Sequence, residues 1–561
     1  MTGFIESSSR VLRLAAIAVL LLFLTNPSFG QTNDSFHVPA SGPISGFAVE
    51  PDGKIIVGGN FATLGGQNCN HIGRLNSDGT VDVAFNPGDS NTVNAIAIQP
   101  DGKIIAARNS RVFQVPSTNV VRYNPDGTLD PSFHGVLADD NVECVALQPD
   151  GKILVGGVFT TLGGQPRACL GRLNTNGTLD SGFHVLISES SGGFPRTLPE
   201  VASIAVQPDI GILIGGTFTS VAASPRTNIC RLNANGTLDG SFMSPPQDKQ
   251  YPVQCLTLQP DGKILASFSM LGNFFIGPSG TNYLRRMNSD GSLDSGFAPG
   301  FDAAVSSLSV QTDGKILASG SFTRCNGSAR TNLTRLNSDG TLDTGFNARI
   351  GYSGVSLGST IVDSTMAQQN DGKLLLGANL GRATPPTNYV ARYSNTDPAA
   401  DSLSFDGSTI IWLRDGTAPE VWRTTFDTCT NGADWVSLGE GARINGGWQL
   451  AGLSLPTDTP IRARGFLTGG ANNGSSWYVE STLNLTQPPK IIADDSAFGI
   501  HSNQFSFNIA AIPDQIVIVE ASSDLQNWTP LATNTLYSNP LHFSDPSSAQ
   551  IPSRFYRARL Q

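Results

Sequence analysis

Charge is scarce in this chain. Only 14% of its 561 residues are Asp, Glu, Lys or Arg, against about 25% in an average soluble protein. Nor is there a basic excess: 35 Lys and Arg face 45 Asp and Glu, for a net charge of −10. Nucleic-acid binders carry a basic stripe, so that class is excluded. Glutamate is rare, and beyond residue 30 it occurs only at 50, 143, 189, 200, 420, 440, 480 and 520. Histidine occurs six times, at 37, 71, 134, 184, 501 and 542. None of the seven cysteines (69, 144, 169, 230, 255, 325, 429) lies in a C-x-x-C pair, so zinc spacing is missing. An odd number leaves at least one thiol unpaired even in an oxidising compartment; the cysteines read as small buried hydrophobes in strands. No tryptophan precedes Trp412. Beyond residue 30 no apolar run approaches the eighteen residues of a membrane span.

What is abundant is glycine, 61 residues, together with 29 phenylalanines. That balance reads as short strands and tight turns. Residues 1–30 read as a signal peptide. Arg10 and Arg13 precede an apolar run from Leu14 to Leu24, too short to span a bilayer comfortably. Ser28 and Gly30 put small residues at the −3 and −1 positions of a cleavage site before Gln31. The expectation is an exported protein, extracellular, at the cell surface or periplasmic, without a membrane span after cleavage.

From residue 31 to about residue 397 the chain is dominated by self-similarity. A turn aspartate recurs at Asp52, Asp101, Asp150, Asp209, Asp261, Asp313 and Asp371. Six of these open Asp-Gly-Lys; the fourth is Asp209-Ile-Gly. About twenty residues on comes Arg-apolar-Asn, at Arg74, Arg122, Arg172, Arg231, Arg286 and Arg335, with Arg392-Tyr-Ser as the seventh copy. Then comes a glycine turn and L/V-D-x-x-F, ending at Phe85, Phe133, Phe183, Phe242, Phe297 and Phe346. Each unit parses into four short strands. Pro-Asp-Gly supplies a type I turn with a G1 bulge, a three-residue hairpin loop. That loop sets Ile98 opposite Ile104 and Leu75 opposite Val81. Arg and Asp eight residues apart become cross-strand partners. As an exposed pair each is worth only about 0.2–1 kcal/mol. Burying the following Phe is worth roughly 1.5–3 kcal/mol, so Phe drives packing and the ion pair fixes register.

Four-stranded antiparallel units stack radially into a propeller. The seventh unit has Arg392 but no L-D-x-x-F, while Asn33-Asp34-Ser35-Phe36 is an orphan copy of that ending. Residues 31–40 are therefore expected to complete the last blade and close the ring. The pattern Q-P-D-G-K-I-x-x-G-G-x-F…R-L-N-x-D-G-x-L-D-x-x-F resembles the delta-60 repeat, a bacterial β-propeller repeat of unassigned function. The resemblance covers residues 31–397 and implies a propeller in exported or surface proteins. It brings no catalytic residues.

Composition changes at Pro398, and a second break falls at Thr486-Gln-Pro-Pro489. The predicted architecture is all-β: a signal peptide (1–30), a seven-bladed β-propeller (31–397), and two small β-sandwich-like modules (401–485 and 490–561). The modules share a pattern, since Phe426–Leu438 aligns with Val519–Leu531 with acid, turn Asp/Asn, Trp and Leu at identical offsets. It is similar to the Asp-box hairpin of sialidase-type proteins, where that hairpin is structural.

No catalytic, cofactor-binding or metal residues stand out. Three histidines follow the repeat Phe (His37, His134, His184) and read as blade-face residues. Asn76-Ser-Asp78-Gly79 is a turn, because Arg74 stands where a calcium loop needs its first acid. The glycine pairs 58–59, 156–157 and 215–216 read as close blade packing. Trp448 and Trp477 are the aromatic candidates for sugar binding, with core packing as their other reading. The converging loops, above all Leu186–Val201 and Leu271–Tyr283, are the expected ligand face. The sequence thus predicts an exported non-enzymatic binding or surface-interaction scaffold, its extracellular partner a polysaccharide or a protein. The alternative is a secreted carbohydrate-active hydrolase or lyase with a propeller catalytic domain.

Overall fold

The computed structural model describes residues 33–561 except 90, 110–117, 189–197, 245–250, 270–282, 349–362, 380–387, 430–433, 457–458, 484–489, 494–495, 502, 511–515, 536–539, 549–553 and 561. The segment read as a signal peptide lies outside the described residues. Those described are all β apart from one 3₁₀ turn, Ala471–Asn473, and no helix among them is long and apolar enough to cross a membrane.

Seven antiparallel sheets succeed one another from Ile44 to Tyr393. The first consists of Ile44–Val49, Ile55–Gly59 and Ile72–Leu75. Five like it begin at Val93, Val142, Glu200, Val253 and Val305; the seventh holds Asp363–Gln368, Leu374–Asn379 and Asn388–Tyr393. Each inner strand packs beside the inner strand of the next sheet, and Asp363–Gln368 packs beside Ile44–Val49, so the series closes into a ring. The outer strand of the seventh sheet comes from the other end of the chain. Asn33–Ala40 runs antiparallel to Asn388–Tyr393, with His37 opposite Ala391 and Ala40 opposite Asn388.

The fourth strand expected within each unit is reduced to a single bridge: Leu75 to Val81, Tyr123 to Leu129, and likewise in the third to sixth sheets. The next residue, the repeat Asp, ends it. Asp82 takes an N–H from Ala84 at 3.2 Å on one carboxylate oxygen, and a side chain that caps a turn stops a ladder.

The repeat Arg does more than hold register. Arg74 Nε donates to Asp82 at 2.9 Å, its guanidinium stacks over Phe85 at 4.5 Å, and its Nη1 donates to the Pro125 carbonyl of the next unit at 2.7 Å. Arg122, Arg172 and Arg231 repeat this with the carbonyls of Thr175, Ala234 and Ser289. Arg392 completes the circle: it bonds Asp34 at 2.7 Å, stacks over Phe36 at 4.5 Å and reaches the Ser77 carbonyl at 2.6 Å. The expected surface pairs are in fact largely buried, Arg335 being 1% exposed. A buried charge is costly to leave unpaired, so these arginines staple neighbouring sheets together. Phe does the same by packing. A Cβ on Gly79 (φ +91°) would stand 2.9 Å from Phe36, and one on Gly127 3.1 Å from Phe85. The first glycine of each Gly-Gly pair serves contact between sheets, for a Cβ on Gly156 would lie 2.8 Å from Val201 of the next sheet, and one on Gly58 2.7 Å from Val93.

Beyond Pro398 two further pairs of sheets follow. In the first, Ala399–Phe405, Thr409–Gly416, Gly447–Ala451 and Ala442–Ile444 form one sheet; Trp435–Glu440, Arg423–Cys429, Ile461–Gly469 and Ser475–Leu483 belong to the other. Its core residues Trp412, Phe426, Trp448 and Trp477 are continuous with Ile44, Phe47 and Ile96 of the ring. The second has its own small core of Phe507, Ile509, Val517, Val519 and Phe543.

Candidate functional site

A ring of sheets leaves the inner edge of every sheet facing the axis, with backbone groups that need partners. Here the chain itself supplies them. Ile461–Gly469 and Ser475–Leu483 form a long hairpin whose tip enters the axis. Asn473, 2% exposed, accepts the Leu308 N–H at 3.1 Å and the Ser307 hydroxyl at 3.2 Å, and donates to the carbonyls of Leu256 at 3.2 Å and Leu308 at 2.8 Å. Around it the Gly474 carbonyl accepts from Val145 at 3.0 Å, the Met366 carbonyl accepts from Gly470 at 2.9 Å, and Ser475 Oγ accepts from Ile96 at 3.0 Å. Five of the seven inner strands are thereby hydrogen-bonded to one tip. Asn473 holds φ +51°, a conformation Asn tolerates better than most side chains.

Beyond the stoppered axis, a concave surface lies at the seam between ring and hairpin module. One cavity of about 260 Å³ lies between Val206, Leu258 and Val310 on the ring side and Val421, Trp422 and Trp448 on the module side. It adjoins a wider one of about 730 Å³ reaching Asp261, Arg414 and Asn445, and the two share Pro260, Glu420, Arg443 and Trp448. Arg443 grips Glu420 through both Nη atoms, at 2.6 and 3.0 Å, and lies over Trp448 at 5.1 Å. The Glu420 N–H is anchored on the Val310 carbonyl at 2.8 Å. Arg414, 4% exposed, donates to the Pro419 carbonyl at 2.8 Å and to Asn370 at 3.0 Å; its Nε has no partner among the described residues. Burial pulls its guanidinium down to about 10, opposed by the charge of Glu420.

The two tryptophans singled out in the sequence are both buried in the shared core, Trp448 bordering this cleft and Trp477, 2% exposed, lying opposite Leu467 close to the hairpin tip. The histidines do not converge. His37 stacks on Tyr389 at 4.6 Å, and His134, His184, His501 and His542 are exposed at separate places. All seven cysteines are buried, and no disulfide joins them; burial pushes Cys255 up to about 12. No group of three His, Cys, Asp or Glu side chains among the described residues is placed to hold a metal. The excursions Leu186–Val201 and Leu271–Tyr283 lie largely outside the described residues.

The pattern shared by the two modules has a partner that sequence reading missed. Asp427 pairs with Arg462 at 2.8 Å and Arg464 at 3.6 Å; Glu520 pairs with Arg557 at 2.7 Å and Arg559 at 3.0 Å. Trp435 lies under Arg462 and Trp528 under Arg557, both at 4.3 Å. The signal was Arg462-Ala-Arg464 and Arg557-Ala-Arg559, the same tripeptide in each module.

A family described as "Domain of unknown function (DUF5122) beta-propeller" matches at residues 50–85, 99–133, 148–183, 207–242, 259–297 and 311–346. The chain carries β-propeller repeats. Each match runs from the residues before the Asp turn to the repeat Phe, so the propeller repeat is the Arg–Asp–Phe unit described above. Among solved structures, a streptogramin B lyase is 15% identical with a TM-score of 0.38, covering 65% of this chain and 97% of that one. A protein of unknown function from Bacteroides caccae is 14% identical with a TM-score of 0.27, covering 46% and 92%. Comparison with curated proteins finds no match.

Proposed function

We propose that this protein is an exported, non-enzymatic propeller scaffold that binds its partner at the seam between ring and hairpin module. The observation that carries the reading is the filled axis. Asn473 and its neighbours occupy the place where a channel site of catalytic acids would stand. The smaller seam cavity is lined mainly by apolar and aromatic side chains with a few fixed polar groups, the usual character of a binding site. Export is supported by the basic, apolar and small-residue order of residues 1–30.

The test uses the mature chain and a panel of polysaccharides. Retention on an affinity gel without release of reducing ends supports the scaffold. Depolymerisation of any member of the panel overturns it in favour of a carbohydrate-active enzyme.

A further inference from the structure

The scaffold reading leaves open what the seam cleft holds, and the chemistry of its walls narrows that. One wall is a tryptophan surface, Trp422 and Trp448, beside Val421 and Leu467. The charged groups around the two cavities are Arg414 and Arg443 against Asp261, Asp415 and Glu420. Two cations against three carboxylates give no net attraction for an anion. Arg443 and Glu420 are moreover already joined to each other, so neither offers an unspent charge.

The polar groups on the ring side are uncharged. Thr257, Ser309, Gln207 and Gln259 all line the smaller cavity. Gln207 and Gln259 are 6% and 8% exposed, and each keeps a side-chain oxygen that accepts no hydrogen bond. At the matching positions of the other sheets, Gln99 and Gln148 accept from Arg122 at 3.3 Å and from Arg172 at 3.4 Å, while Gln311 and Gln369, which line neither cavity, have no donor on that oxygen among the described residues; what sets Gln207 and Gln259 apart is their place in the cavity wall. Buried acceptors without donors favour a ligand rich in hydroxyl groups. Indole faces favour a ligand that also has an apolar C–H surface. A sugar ring combines the two.

The sizes agree. A cavity of about 260 Å³ takes one ring, and the adjoining 730 Å³ opens toward solvent past Pro260 and Arg443. We infer that the seam cleft binds a neutral saccharide chain, one sugar ring seated against the partly exposed Trp422 and the chain leaving past Arg443.

Titration calorimetry of the mature chain with cello-, malto-, xylo- and manno-oligosaccharides, with oligogalacturonate and anilinonaphthalene sulfonate as controls, tests this. Leu258→Trp on the ring wall and Thr468→Trp on the module wall fill the cleft from opposite sides. The expected result is binding of at least one neutral series, weakened at least about tenfold (about 1.4 kcal/mol) by either filled variant. Both variants are checked for an unchanged melting curve, and one that melts early is set aside for the other. Binding of the controls alone, binding of nothing, or undiminished affinity in a well-folded filled variant overturns the inference. The scaffold reading fails separately: release of reducing ends sinks it, while saccharide binding at the seam stands if the filled variants still lose affinity.

Discussion

Replacing Asn473 by alanine is the sharpest probe of the stoppered axis. The side chain satisfies the Leu308 N–H and the carbonyls of Leu256 and Leu308, all inside the ring. Each backbone group left buried without a partner costs about 1–3 kcal/mol. Some of this is recovered if water reaches the axis, so about 2–4 kcal/mol is expected from the lost bonds. Alanine must also hold φ near +51°, which adds roughly 1 kcal/mol. Asn473→Asp keeps the acceptor but turns a carboxylate toward two carbonyls, and should be at least as damaging as alanine. The readout is urea unfolding followed by tryptophan fluorescence, because Trp477 sits close to the tip of this hairpin and all six tryptophans lie at residue 412 or beyond. A loss of less than about 0.5 kcal/mol in the alanine variant would mean that the tip rests in the axis without holding it, and that the inner strands find their hydrogen-bond partners elsewhere.

Three further outcomes follow from named contacts. Phe36→Ala, removing a ring 2% exposed beneath Arg392, should cost about 3–5 kcal/mol and open Asn33–Ala40 to limited proteolysis; an unchanged melting curve and cleavage pattern would contradict closure by that strand. Ile210 is β-branched yet sits at φ +62°, where the other units place glycine, so Ile210→Gly should stabilise by roughly 0.5–1 kcal/mol after the entropy cost of glycine, read as a higher urea midpoint. Several repeat aspartates are held below the usual carboxylate range, Asp130 by the Ser132 hydroxyl, against burial, and then by Lys103 and Arg122, and Asp294 by Lys263, against burial, and then by Arg286. Depressed folded values mean that this stability is complete above the unfolded value near 3.9 and drains away as pH falls through the folded values; melting temperatures should be flat from about pH 7 to 5 and fall steeply below about pH 4, and a fall beginning near pH 6 would point to other groups.

The propeller repeat was legible because its determinants are local. A three-residue turn fixes the register of a hairpin, so Arg74 and Asp82 meet wherever the unit sits in the chain. Burial of those pairs was not legible, since it depends on the neighbouring unit, where Pro125 offers its carbonyl to Arg74 and Gly127 makes room for Phe85. The axial tip was still further from reach. Gly469-Gly-Ala-Asn-Asn-Gly474 reads as an ordinary glycine–asparagine turn, and its partners, Ile96, Val145, Leu256 and Leu308, stand 165 to 379 residues away. Trp448 and Trp477 carried the same local signal, a small-residue flank before the indole. Only the fold decides that, within one core, Trp448 borders the seam cleft and Trp477 packs beside the axial tip.

Ring and module share both the axial tip and the seam, and this couples binding to folding. Leu258 and Val310 are contributed by the ring, Trp422 and Trp448 by the module. A molecule held by both walls has no site when the hairpin is withdrawn. It must then stabilise the docked state by RT ln(1 + [L]/Kd), about 2.7 kcal/mol at a hundredfold excess over Kd. That gain is of the size expected to be lost in the Asn473→Ala variant. A saturating neutral oligosaccharide should therefore restore much of that variant's urea midpoint, provided it binds at the seam. One bound on the outer rim of the propeller, away from the hairpin, would leave the defect as it was.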